Sequence, residues 1–155
     1  MSDDDLDQLT AINPADIRMA AMDLLARREH SRRELKQKLK KRFKDDKLID
    51  EQLDRLAEER LQSDRRFAES FLRQRINRGQ GPMRIRQEMR QKGISDSEID
   101  AALEEEQPDW YALAEEVYRR KFGELPPEDI KAKAKRSRFM QYRGFSLEHF
   151  RDYIQ

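Results

Sequence analysis

The sequence predicts an all-α protein of three tandem three-helix repeats forming an elongated, curved right-handed-helix array, and three observations predict it. A hydrophobic pattern returns: Leu35, Leu39, Ile49 and Leu53 recur fifty positions later as Ile85, Met89, Ile99 and Leu103. Of that second set, Met89, Gly93, Ile94, Ser95, Ile99 and Leu103 recur fifty-one positions later as Met140, Gly144, Phe145, Ser146, Phe150 and Ile154. Such a period marks stacked units, each too small to bury its own apolar face. Glycine and proline are sparse, five of each in 155 residues, which favours helices over strands and turns. Charged residues make up 42% and hydrophobic ones 36%, too few for one spherical core but enough for thin cores inside successive units.

The elements follow in order. Residues 1–13, with Asp3, Asp4, Asp5 and Asp7, lack periodicity and read as an acidic disordered tail. The first repeat occupies 14–62. Its first helix starts at the N-cap Asn13 with Pro14 at the first helical position, and faces Ile17, Ala21, Leu24 and Leu25 inward. Ser31 and Glu34 form a capping box that opens a second helix bearing Leu35, Leu39 and Phe43. A third begins near Asp46 and carries Ile49, Leu53, Leu56 and Ala57.

The second repeat, 63–108, opens with Ser63 or Asp64 as N-cap and has Phe67, Ala68, Phe71 and Leu72 on its first helix. The loop Gly79–Pro82 ends that helix and starts one bearing Ile85 and Met89. Gly93 stops it, and Ser95 with Glu98 caps the next, on which Ile99, Ala102 and Leu103 face inward. The third repeat, 109–155, starts after Pro108 with Trp110, Leu113, Ala114 and Val117, and is interrupted by a longer loop from Gly123 to Pro127. Its second helix is predicted from about Pro127 to Tyr142, and Ser146 caps the last, with Phe150 and Ile154. Arg136 stands in the place of Ile85, so Ala132, Ala134 or Phe139 must supply that packing.

A net charge of +1 hides an alternation. Arg27 to Lys47 has eleven Lys or Arg against four acids, whereas Ile49 to Glu59 has five acids and one arginine. Arg65 to Lys92 has nine cations against Glu69 and Glu88, and Asp96 to Asp109 has seven acids and no base. Arg119 to Arg143 repeats the basic half, nine against three, but the final helix carries only Glu148 and Asp152 against Arg151. Two readings stand. Basic helices lie beside acidic ones and neutralise each other on a solvated surface, or the second helices of a curved array merge into a basic stripe. A stripe suits a polyanion: nucleic acid phosphates, or the acidic face or bound strand of a nucleoprotein filament. No basic run is interleaved with regularly spaced aromatics that would stack on single-stranded bases, so base-specific readout is not indicated. Tyr111, Tyr118, Tyr142 and Tyr153 serve either surface contact or structure.

Catalytic chemistry is missing from the pattern. With no cysteine and only His30 and His149, neither a zinc cluster nor a Cys/His nucleophile can be assembled. His30 reads as a loop residue and His149 as part of a helix's first turn. Glu104, Glu105 and Glu106 are consecutive and point to different helix sides, and Gly79, Gly81 and Pro82 lack the GxxxxGK[ST] pattern of a phosphate loop. No enzyme, cofactor or metal is expected. Neither a signal peptide nor a membrane span is read, so the expected location is the cytoplasm.

Several residues resemble those of the RecX family, bacterial modulators of the RecA recombinase. They are Arg28, His30, Ser31, Glu34, Leu35, Lys38 and Leu39 in the first repeat, then Leu61, Asp64, Phe67 and Ala68 opening the second. Gly81, Ile85, Lys92, Gly93 and Ile94 follow, with Arg143, Gly144, Phe145 and Ser146 near the end. The resemblance covers nearly all of the chain after about residue 15. Two departures are visible: Arg60 stands where the family often has glycine, and Arg42 with Phe43 replaces a Lys-Gly turn. The resemblance implies tandem three-helix units that act without catalysis, lie in the groove of the RecA–DNA filament, and suppress its ATP hydrolysis, strand exchange and co-protease role. Arg32, Arg33, Lys36, Lys40, Arg73, Arg84, Arg86 and Arg90 are the candidate contacts to filament and DNA. The expected partners are the RecA filament and, weakly and without sequence preference, the phosphate backbone of single- and double-stranded DNA, with the protein a monomer.

Overall fold

The structure, a computed structural model, describes residues 11–155. The acidic segment with Asp3, Asp4, Asp5 and Asp7 lies outside the described residues. Among those described there are nine helices and no strand. They are α1 (Pro14–Arg27), α2 (Arg32–Lys40), α3 (Asp46–Glu58), α4 (Asp64–Asn77), α5 (Pro82–Gln91), α6 (Asp96–Glu106), α7 (Trp110–Phe122), α8 (Ile130–Tyr142) and α9 (Leu147–Ile154). The chain divides into two compact units whose boundary falls inside α4, one ending at Phe67 and the other running Ala68–Gln155.

Capping fixes most helix starts. Asn13 accepts from the Ala15 N–H, Asp45 from Leu48, Ser95 from Glu98 and Asp109 from Ala112, so orphan donors of each first turn are satisfied. At one start the structure chooses between the two caps the sequence offers, and at another it departs from the expected position. Ser63 caps α4, accepting from the Arg66 N–H at 3.1 Å, while Asp64 accepts the Arg32 N–H at the start of α2, at 2.8 Å. And α8 begins at Ile130, not near Pro127, because Asp129 accepts from the Ala132 N–H at 2.7 Å and leaves the proline pair in the loop.

In the first unit α1, α2 and α3 pack on one another around Ile17, Ala21, Leu35, Leu39, Phe43, Ile49, Leu53 and Leu56, with Leu24 and Leu25 partly buried beside them. Each such aliphatic side chain contributes about 1.5–3 kcal/mol by leaving water. Ala57 is exposed; the turn of α3 that faces inward uses Gln52 in addition to the expected leucines.

In the second unit α7, α8 and α9 enclose Ala114, Val117, Tyr118, Met140, Phe145, Phe150 and Ile154. Arg136 stands where an aliphatic residue was due, and the space is filled by aromatics. Phe139 meets Phe122 edge-on at 5.3 Å between centroids, and Tyr118 is fully buried with its hydroxyl donating to the Tyr153 carbonyl. Arg136 in turn donates to the Tyr118 oxygen and the Leu125 carbonyl, and its guanidinium lies over Phe122. Of the three residues proposed for that role, Phe139 packs against the core.

The turn between α8 and α9 sits against the start of α5. Gly81 donates to the Arg143 carbonyl at 2.7 Å and Met83 to the Gly144 carbonyl at 3.1 Å. A Cβ on Gly81 would lie 2.4 Å from the Gly144 carbonyl carbon, and Gly144 has φ +103° with Arg84 as close on its other side. Only glycine allows two backbones to meet this way.

Candidate functional site

All the candidate cations except Arg73 project from the second helix of the first two repeats, and for most of these the following helix supplies the carboxylate. Lys36 on α2 reaches Asp50 on α3 at 3.0 Å, and Lys40 reaches Asp46 at 3.5 Å. Fifty residues on, Arg86 on α5 reaches Asp100 on α6 at 2.6 Å and Arg90 reaches Asp96 at 2.8 Å. The interhelix ion pairs therefore repeat with the hydrophobic period. Arg32 adds Asp54 at 2.7 Å, Arg73 on α4 approaches Glu106 at 3.7 Å, and Arg84 pairs with Glu88 one turn on. Arg33 is exposed and is itself engaged. Hydrogen bonding to the Arg90 guanidinium holds the Asp96 carboxyl below its ordinary range. These pairs are solvated on at least one side, so each contributes about 0–1 kcal/mol and leaves its cation able to exchange partners.

The third repeat has no such ladder. At the positions fifty-one residues on, Ser137 and Arg151 replace the Arg86–Asp100 pair, and Gln141 and Leu147 replace Arg90–Asp96. Helix α8 carries five cations and no acid. Among the described residues no ion pair joins it to α9, and Lys131, Lys133, Lys135 and Arg138 are exposed and have no ion-pair partner. The cations that do pack in this repeat rest mostly on aromatic faces: Arg119 over Tyr153 at 4.9 Å, Lys121 and Arg143 over Phe139, Arg136 over Phe122. A ring face attracts a cation without cancelling its charge.

The residues that carried the resemblance in the first repeat form one hydrogen-bonded cluster. The Arg28 fork donates to both Glu34 oxygens at 3.1 and 3.0 Å, Glu34 accepts from the Ser31 N–H, and the Ser31 hydroxyl accepts from the Glu34 N–H. The buried His30 ring pairs Nδ1 with the Arg28 carbonyl at 3.0 Å and Nε2 with Lys38 Nζ at 3.1 Å. That arrangement suits a neutral imidazole, donating through Nδ1–H and accepting at Nε2, and burial, foremost, holds its pKa below the ordinary 6.5. Gln62 donates to the His30 carbonyl and to Asp64. The cluster locks the entry to α2 and has the geometry of a structural joint. Neither the burial of His30 nor the bond from the Arg32 N–H to Asp64 is readable from local pattern, because both depend on the segment around Gln62 and Asp64 folding back on the start of α2.

His149, in the first turn of α9, accepts the Ser146 N–H at Nδ1. A cleft of about 320 Å³ between α4, α7 and α8 is lined by Arg78, Leu113, Glu116, Val117, Arg120 and Arg143, among others, and holds no histidine or hydroxyl nucleophile. Among the described residues no group of His, Asp and Glu could hold a metal ion, and no helix is long and apolar enough to cross a membrane.

Family models match the chain three times over: the RecX first three-helix domain at residues 18–56, the second at 63–103 and the third at 107–154. The chain belongs to the RecX family. It is 52% identical over 135 residues to the regulatory protein RecX of Pseudomonas entomophila, covering 87% of each chain. It is 48% identical to that of Halorhodospira halophila, covering 87% of this chain and 84% of the relative. Among solved structures, a regulatory protein RecX superposes with TM-score 0.68 at 28% identity, over 97% of this chain and 77% of that one. RecX from Lactobacillus salivarius shares the fold with TM-score 0.70 at 24% identity, over 90% of this chain and 93% of that one. The RecX three-helix domains coincide with the helix triplets α1–α3, α4–α6 and α7–α9.

Proposed function

We propose that this protein is a non-enzymatic regulator that binds the RecA–DNA nucleoprotein filament and inhibits its recombinase, ATPase and co-protease activities. The observation that carries the reading is membership of the RecX family in all three domains, at 52% identity to a curated regulatory protein. The charge pattern supports it. Arg32, Arg33, Lys36, Lys40, Arg73, Arg84, Arg86 and Arg90 supply electrostatic contacts to filament protein or phosphate, exchanging weak solvated carboxylate partners for the polyanion. Several weak contacts on one chain give avidity that no single helix has. The protein works in the cytoplasm as a monomer, in control of DNA repair and the SOS response.

Sedimentation with preassembled filament tests this. The protein is expected to pellet with filament at a salt concentration where it does not bind naked DNA, and not with recombinase lacking DNA. Reversing the charge of Arg84, Arg86 and Arg90 together should weaken pelleting while circular dichroism shows unchanged helicity; full pelleting of that variant would contradict the assigned contacts. A second reading, a stand-alone helical nucleic-acid-binding module, is favoured by the unpaired cations of α8. It requires equal affinity for naked DNA and filament, with an equally steep salt dependence.

A further inference from the structure

The outward side of α8 is built unlike any other basic helix in the chain. Lys131, Lys135, Arg138 and Tyr142 succeed one another at intervals of four, three and four residues, so they fall within about 60° of the helix circumference. They stand about 4.5–6 Å apart along its axis. All four are exposed, and the buried Met140 lies on the opposite side. Among the described residues the first three have no carboxylate partner, and α8 itself carries no acid. At the end of the row Tyr142 is 74% exposed although the Arg84 guanidinium lies over its ring at 5.1 Å. Met83, 63% exposed, lines the same groove between α5 and α8, together with Gln87 and Gln141. The ring is held in place, since the Gly81 and Gly144 backbones lock the end of α8 to the start of α5.

We infer that this face binds a single strand of nucleic acid, with Lys131, Lys135 and Arg138 on successive phosphates and Tyr142 stacked on one unpaired base beside Arg84. The row of unneutralised charge supplies counterion release without breaking any existing ion pair. The exposed ring selects a single strand over a duplex, because only an unpaired base offers its face. One tyrosine makes a single stacking point, so the contact is indifferent to sequence. The inference rests on the nucleic-acid half of the proposed function and not on the recombinase half.

The test is fluorescence anisotropy of a labelled oligothymidylate with the full-length protein at roughly 0.1 M salt and below. Replacing Lys131, Lys135 and Arg138 together by glutamine should weaken binding roughly ten-fold or more, and the slope of log affinity against log salt should fall by about 2, at about 0.7 per phosphate contact on a single strand. Tyr142→Ala should weaken binding roughly five-fold or more with the slope unchanged, and Tyr142→Trp should restore it. A duplex of the same length should not respond to Tyr142→Ala. Circular dichroism checks that the exposed substitutions leave helicity intact. Oligothymidylate binding unchanged in the triple variant overturns the inference. So does a triple variant that loses filament pelleting but keeps oligothymidylate binding, which would make the face a contact for an acidic protein surface. If the wild-type protein binds oligothymidylate through α8 but never pellets with filament, the recombinase half of the proposed function fails and this inference stands.

Discussion

Helices α5 and α8 occupy the same place in consecutive repeats, and both are basic, yet they present opposite surfaces. On α5 Arg86 and Arg90 are met by Asp100 and Asp96 from the next helix, as Lys36 and Lys40 on α2 are met by Asp50 and Asp46. On α8 Arg136 packs on aromatic rings and bonds neutral oxygens, the other cations have no ion-pair partner among the described residues, and α9 brings no acid to them. Counting charges along the chain makes the three basic runs look alike. What a partner meets is the charge left after the following helix has packed, and by that measure the third repeat differs from the first two.

The contrast can be broken most severely at the joint that positions α8. Gly144→Ala places a Cβ 2.5 Å from that of Arg84 at a φ of +103°, and should cost about 3 kcal/mol or more. That corresponds to a drop of roughly 6–12 °C in Tm by calorimetry. An unchanged Tm would mean that the close approach of the two glycines does not hold the repeats.

The first repeat offers a sharper distinction, between cations that fold the protein and cations that face a partner. Glu34→Ala removes the acceptor for Arg28 and Ser31 and should lower the unfolding free energy in urea by about 2 kcal/mol. Asp50→Asn, which frees the solvated Lys36, should cost about 1 kcal/mol or less. Equal losses would erase the distinction.

The second repeat can be given the surface of the third. Asp96→Asn with Asp100→Asn removes both carboxylates that meet Arg86, so oligothymidylate affinity should rise several-fold and the salt slope steepen by about 1. The stability loss should be small, because both carboxylates are solvated. No gain in affinity would show that unpaired cations on the second helix are not what governs binding.

The smallest effect is a pH dependence confined to the first repeat. Burial lowers the His30 pKa below 6.5, so the unfolded chain binds the proton more readily than the folded one. Stability is therefore complete above about pH 6.5 and falls as the pH drops from there towards the lower folded value. In urea titrations His30→Gln should flatten that part of the profile and leave the acid limb, where carboxylates are protonated, in place.

Much of this architecture is legible in sequence because it is local. Asn13–Pro14, Ser31 with Glu34, and Ser95 announce their helices through side chains that reach backbone two or three residues away. The repeated apolar positions Leu35, Leu39, Ile49 and Leu53 all lie buried because helical period and burial are the same fact seen twice. What escaped depends on how helices face each other. The pairing of Lys36 with Asp50 needs the relative register of α2 and α3; its written signal was an acid fourteen residues after a base, recurring at Arg86 and Asp100 and failing at Ser137 and Arg151. The burial of Tyr118 was equally hidden, since it follows from Arg136 entering a space where the other repeats place an aliphatic residue.

The most direct test of the proposed regulation is the rate of single-stranded-DNA-dependent ATP hydrolysis by the cognate recombinase, titrated with this protein well below one molecule per recombinase protomer. Inhibition at such substoichiometric amounts, with no loss of recombinase when the two proteins are mixed without DNA, is the predicted result. Inhibition that sets in only when the protein saturates the DNA would contradict a filament regulator and leave simple competition for the strand.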